Sequence, residues 1–159
     1  KRPTLIRVGR FSRIIASMAN AVFNTAREGF LGGAIDLDTA VIKCALVRGY
    51  TFVTTHSTVA DVTGAGGTLN GTSAALANKT ITSGVFDADD TTIDTTASAS
   101  NHGLLVFQSS AVTGGADVAA SSQRVIAYYD TGTGLPVAPG TGTTAVTWSS
   151  GTDKIFRLS

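Results

Sequence analysis

The sequence predicts a mainly β protein: an antiparallel β-sandwich or barrel-like body, with one short N-terminal helix and an extended basic N-terminal arm. Three observations carry this. Only 14% of the 159 residues are charged, against about 25% in ordinary globular chains, and Gly, Thr, Ser and Ala fill the gap. Short runs bearing Val, Ile and Thr recur between glycine-rich turns, and β-branched side chains pack well on a pleated surface. Five of the twelve Lys and Arg lie in the first thirteen residues (Lys1, Arg2, Arg7, Arg10, Arg13), so a +5 arm precedes a body whose net charge is −4. The length fits one domain and an arm, read as residues 1–17 for the arm and 18–159 for a single β-rich domain. A chain of this size can bury roughly 70% of its unfolded surface.

The N-terminal elements follow from spacing. Phe11, Ile15, Met18, Val22, Ala26 and Phe30 recur every three or four residues, which places them on one stripe of a helix. Pro3, Gly9 and two potential N-caps, Ser17 and Asn20, argue against one continuous helix. The reading is therefore a basic arm followed by a helix from about Asn20 to Leu31, ended by Gly32 and Gly33. The run "TAVIKCALV" is apolar on both faces, as expected of a central strand, with Lys43 and Arg48 marking where it meets water. Residues 54–70 break into a loop or short helical turn.

Six further strands are read in "TSAALANKTIT", "GVFDADDTTID", "HGLLVFQSS", "QRVIAYYDT", "TTAVTWS" and "KIFRLS", with turn residues between them. "SSGTD" is expected to close a hairpin between the last two, with Val146, Trp148, Phe156 and Leu158 in the core.

Chemical motifs are sparse. Cys44, the sole cysteine, sits in an apolar run and reads as a small buried hydrophobe. Asp87, Asp89 and Asp90 are weak candidates for a calcium site, because clustered carboxylates supply hard oxygen ligands. They lack the glycine and closing glutamate of a helix-flanked calcium loop, and Asp at a bend is commonly a turn former, so no metal and no cofactor are expected. His56 with Ser57 and Asp61, or His102 near Ser100, has the residue types of a nucleophile, base and acid, but no G-x-S-x-G elbow accompanies either serine. No phosphate-binding loop, dinucleotide fingerprint or Cys/His cluster is present, and the expectation is that the protein is not an enzyme. Asn70-Gly-Thr72 and Asn78-Lys-Thr80 match the N-glycosylation triplet, which arises easily in a threonine-rich chain. No run reaches the ~18 to 20 apolar residues of a membrane span.

The strings "MANAVFNTAREGFLGGAIDLDTAVIKCALV", "SGVFDADDTTID", "RVIAYYDTGTGLPVAPGTG" and "TWSSGTDKIFRLS" together resemble small virion structural proteins of tailed bacteriophages. The likeness covers most of residues 18–159, so residues 1–17 read as an added arm. The loop "THSTVADVTGAGG" departs from it by lacking a more hydrophobic helix. The resemblance implies a capsid decoration (cement) subunit on the virion exterior, made in the host bacterial cytoplasm. Its implied partners are the major capsid protein and neighbouring copies of itself, with a homo-oligomer expected and a trimer the guess. The alternative is a tail, collar or fibre-associated virion protein that recognises the host surface, through hydroxyl-rich loops such as "TGTGLPVAPGTG". No catalytic residues transfer.

The arm supplies the expected contact residues: Arg7, Arg10, Phe11, Arg13 and Ile15. Seventeen extended residues reach about 55 Å, far enough to cross a subunit boundary. At ~25 cal/mol per Å2, burying four or five of its apolar side chains yields several kcal/mol, offset in part by ordering the backbone at about 1 to 2 kcal/mol per residue. Repetition in an oligomer turns such modest contacts into lasting ones. Its apolar content exceeds what nucleic acid requires, and Pro3 and Gly9 weaken a membrane-surface helix, so neither partner is expected. A disordered tail is the plain alternative.

Overall fold

The computed structural model describes residues 20–97, 100, 103–137 and 141–158, and it is mainly β, with ten strands in antiparallel sheets. In chain order the elements are β1 (Asn20–Val22), α1 (Asn24–Leu31), β2 (Val41–Arg48), α2 (Val59–Gly64), β3 (Thr68–Thr72), β4 (Thr80–Thr82), β5 (Val85–Asp87), β6 (Thr91–Thr95), β7 (Gly103–Ser110), β8 (Arg124–Tyr129), β9 (Gly142–Val146) and β10 (Phe156–Arg157). A five-stranded sheet runs β1-β8-β7-β2-β3, a three-stranded sheet β10-β5-β4, and β6 pairs with β9 alone.

The apolar run read as a central strand is β2. It lies between β3 and β7, and only Lys43 and Arg48 within it escape full burial. All eight residues of β7 are buried, so these two strands form the spine on which the rest packs. Buried side chains from all three sheets join one cluster, which includes Phe23, Ile42, Leu105, Ile126, Ile93 and Phe86. Cys44 belongs to it, as expected of a small hydrophobe. Its amide donates to Ser73 Oγ at 3.0 Å.

The N-terminal helix is shorter than predicted. Residues 20–22 are a strand whose Val22 pairs with Ala127, and α1 starts only at Asn24. Phe23 makes the turn between them: its amide donates to Ile126 O at 3.0 Å, and its fully buried ring packs 4.8 Å from Phe52. Pairing of Val22 and burial of Phe23 outweigh the helical periodicity of this segment. The stripe still faces inward where described, since Ala26 is buried and Phe30 stacks on Phe156 with ring centres 6.0 Å apart. Phe11, Ile15 and Met18 lie outside the described residues. The glycine pair stops the helix as predicted: Gly32 donates back to Glu28 O, and Gly33 takes φ +69°.

Three strand readings need correction. In "TSAALANKTIT" Thr72 closes β3 and residues 73–79 lie in no strand before β4, and "GVFDADDTTID" divides into β5 and β6 in different sheets. The expected hairpin between the last two strands does not form, because β9 pairs with β6 and β10 with β5. Phe156 is drawn to Phe86, with ring centres 5.4 Å apart, and burying that pair outweighs the local turn chemistry of "SSGTD". Val146 and Phe156 are buried and Trp148 packs half-buried against the cluster, but Leu158, just past β10, is 37% exposed and does not belong to the core. In residues 54–70 the short helical turn is α2, while β3 begins inside the stretch read as loop.

Candidate functional site

The predicted contact residues Arg7, Arg10, Phe11, Arg13 and Ile15 lie outside the described residues. The described residue nearest to them in sequence is Asn20, the first of β1, which is an outer strand of the five-stranded sheet. Its side chain clamps the loop after β8: Nδ2 donates to Thr131 O at 2.8 Å, and Oδ1 accepts from Thr131 N at 3.3 Å. The sequence offered Asn20 as a helix cap. An amide that caps a helix and one that pins a turn use the same chemistry, and no local signal points to a partner 111 residues away.

Two depressions meet at Asn20. A groove of about 690 Å3 is lined by Leu46, Leu104, Leu135, Val137 and Trp148, with threonine hydroxyls along its rim. A slot of about 470 Å3 runs between β1 and β10, beside Arg27 and Asp153. Tyr129 and Ile155 border both, and Tyr129 Oη donates to Ile155 O at 2.5 Å to form the partition. Burial pushes the Tyr129 phenol well above its ordinary pKa, so it remains a neutral donor at any physiological pH. The groove therefore offers apolar area edged by hydroxyls, and the slot offers guanidinium charge beside two strand edges.

The carboxylates weighed as a metal site are used otherwise. Asp87 Oδ1 accepts from the amide of Ala88 and its Oδ2 lies 3.5 Å from Lys154 Nζ. Asp89 Oδ2 accepts from Asn78 Nδ2 at 2.7 Å, and Asp90 Oδ1 accepts from the Trp148 amide at 2.9 Å. Among the described residues, no three His, Cys, Asp or Glu side chains gather in an arrangement that could hold a metal ion. These aspartates fix the bend between β5 and β6 and tie Trp148 to it, with Trp148 Nε1 donating to Asp89 O at 3.0 Å.

The histidine, serine and aspartate of residues 56–61 do not form a relay. His56 Nδ1 sits 3.0 Å from Tyr50 Oη, while Ser57 Oγ donates to Asp61 Oδ2 at 3.0 Å, so the hydroxyl and imidazole go to different partners. Asp61 closes a capping box with Thr58 at the start of α2: its Oδ2 accepts from the amides of Ser57 and Thr58, each at 2.9 Å, and Thr58 Oγ1 accepts from its amide. Those hydrogen bonds, the Ser57 amide first, hold its carboxyl pKa down to about 2. His102 lies outside the described residues.

The two glycosylation triplets also have structural employment. Asn70 is buried, accepting from the amides of Thr96 and Ala97 and donating to Ala97 O, and Asn78 adopts φ +49° to reach Asp89. No described helix is long and apolar enough to cross a membrane. No family model, curated protein or solved structure matches this chain.

Proposed function

We propose that this chain is a non-enzymatic structural component of a tailed-bacteriophage virion. It is a decoration (cement) subunit on the capsid exterior, whose β-sandwich-like body is fastened by the arm of residues 1–17. In this reading Arg7, Arg10 and Arg13 fork onto carboxylates of the major capsid protein, Phe11 and Ile15 bury against it, and neighbouring copies, as a trimer, multiply the contact. The observation that supports the reading is that Asn20, the described residue nearest in sequence to the arm, opens an outer strand and lines two depressions, which gives the body a contact surface close in sequence to the arm. The sequence resemblance supplies the virion context, and the hydroxyl-rich, charge-poor composition suits a surface packed beside copies of itself.

The test is binding to emptied capsids. The full chain is expected to bind saturably, and deletion of residues 1–17 to abolish binding while the body stays folded. Binding unaffected by the deletion would refute the fastening role. One observation favours a second reading, a tail, collar or fibre-associated protein that recognises a host glycan: the loop from Thr131 to Val137 borders the groove together with Trp148, and an aromatic face ringed by hydroxyls suits a sugar. Attachment to host cells that survives the deletion distinguishes this alternative.

A further inference from the structure

We propose that the slot between β1 and β10 is a docking site for an extended, acidic segment of another protein, which adds a strand against both sheet edges. The inference does not depend on the virion reading. β1 ends the five-stranded sheet and β10 ends the three-stranded one, and the slot is lined by every residue of both strands.

The hydrogen-bond pattern sets which backbone groups point away from the paired strand. Antiparallel pairs alternate between bonded and non-bonded positions. Phe23 donates to Ile126 O at 3.0 Å, which makes Phe23 and Ala21 the bonded positions and turns the N–H and C=O of Asn20 and Val22 away from β8. Leu158 donates to Gly84 O at 2.9 Å, which by the same alternation turns the N–H and C=O of Arg157 away from β5. Donors and acceptors turned away from the paired strands, at the exposed Asn20 and Arg157 and at the buried Val22 between Ala21 and Phe23, are a template for an added strand.

Charge selects the strand. Arg27 has no ion pair among the described residues, and Arg157 has only a 3.9 Å contact with the exposed Asp153, so two guanidiniums face the slot against one carboxylate. Such a site attracts carboxylates, which guanidiniums grip in a bidentate fork, and repels the chain's own +5 arm. The acidic run from Asp87 to Asp90 of another copy does not fit either, because its carboxylates already hold the β5–β6 bend. The occupant is therefore an acidic stretch of a different protein.

The experiment uses the isotope-labelled full chain and three blocked pentapeptides: Val-Asp-Val-Asp-Val, its Lys counterpart, and the Asp peptide with N-methylated backbone. The Asp peptide is expected to shift the amide resonances of Asn20, Val22 and Arg157. The Lys peptide is expected to bind at least about ten-fold more weakly, the size of one lost charge-assisted hydrogen bond, and the N-methylated peptide at least about ten-fold more weakly through the loss of two or more neutral backbone hydrogen bonds. The double variant Arg27→Glu with Arg157→Glu, both at exposed positions, should reverse the Asp and Lys preference. Absence of Asp-peptide binding, shifts centred elsewhere, or equal binding of the Lys peptide would overturn the charge selection. Undiminished binding of the N-methylated peptide would overturn strand addition.

Discussion

Replacing Gly71 by Ala sets a backbone conformation and a packing contact against folding where β3 crosses β6. Gly71 has φ +99°, and a Cβ placed there would lie 2.3 Å from Asp94 O and 2.8 Å from Ile93 Cγ2. The positive φ costs an L-residue about 1 to 2 kcal/mol, and pushing β6 away costs about 1 to 3 more, for a total of about 2 to 5 kcal/mol. A native domain has about 5 to 15 kcal/mol in all, and each kcal/mol moves the melting midpoint of a chain this size by about 2 to 4 °C. The variant should therefore melt about 4 to 20 °C lower by calorimetry, with a matching fall in urea midpoint. Gly132→Ala is the control, because nothing lies within 4 Å of its Cβ position, and it should change stability by less than about 0.5 kcal/mol. A Gly71→Ala midpoint within about 2 °C of the parent would refute the claim that the backbones of β3 and β6 are in obligatory close approach.

Three further outcomes follow from the same contacts. The Asp61 carboxyl has its pKa held down to about 2 when folded, against about 3.9 when unfolded, so its contribution is complete above about pH 4 and is lost as pH falls toward 2. Asp61→Asn should lower stability at pH 7 by about 0.5 to 2 kcal/mol and flatten that part of the acid-unfolding curve, and an unchanged urea midpoint at pH 7 contradicts the cap. Burial pushes the Cys44 thiol up to about 11, so a disulfide reagent at pH 8 should label it only after urea unfolding, and rapid labelling of the folded protein contradicts its place in the core. With Asp87, Asp89 and Asp90 each committed to protein groups, calcium and chelator should give melting midpoints within about 1 °C, and a calcium-dependent rise would restore the metal reading.

The sequence made β2 legible as a central strand because it is apolar on both faces, the pattern of a doubly covered strand, whereas β7 read only as one strand among six because its buried end is the polar Gln108, Ser109 and Ser110. It made the end of α1 legible because paired glycines stop a helix wherever they occur. It misread Asn20–Val22, whose spacing continues the helical stripe, since the competing term is pairing with Ala127 and its neighbours more than a hundred residues away. The hairpin after Trp148 failed for the same reason: turn residues report what a loop permits, whereas Phe86 and Phe30, distant in sequence, decide where Phe156 goes. Of the candidate docking face, the charge of the arm was visible in the sequence. The clamp between Asn20 and Thr131 and the meeting of Arg27 with Arg157 were not, because each joins segments with no common local pattern.

The most direct test of the fastening account is a reconstruction of the assembled virion at a resolution that traces residues 1–17. The account predicts ordered density for the arm lying on an adjacent subunit, with Phe11 and Ile15 covered and the arginines against carboxylates. Density folded wholly onto its own body, or no ordered density in a particle whose body is well resolved, would contradict it.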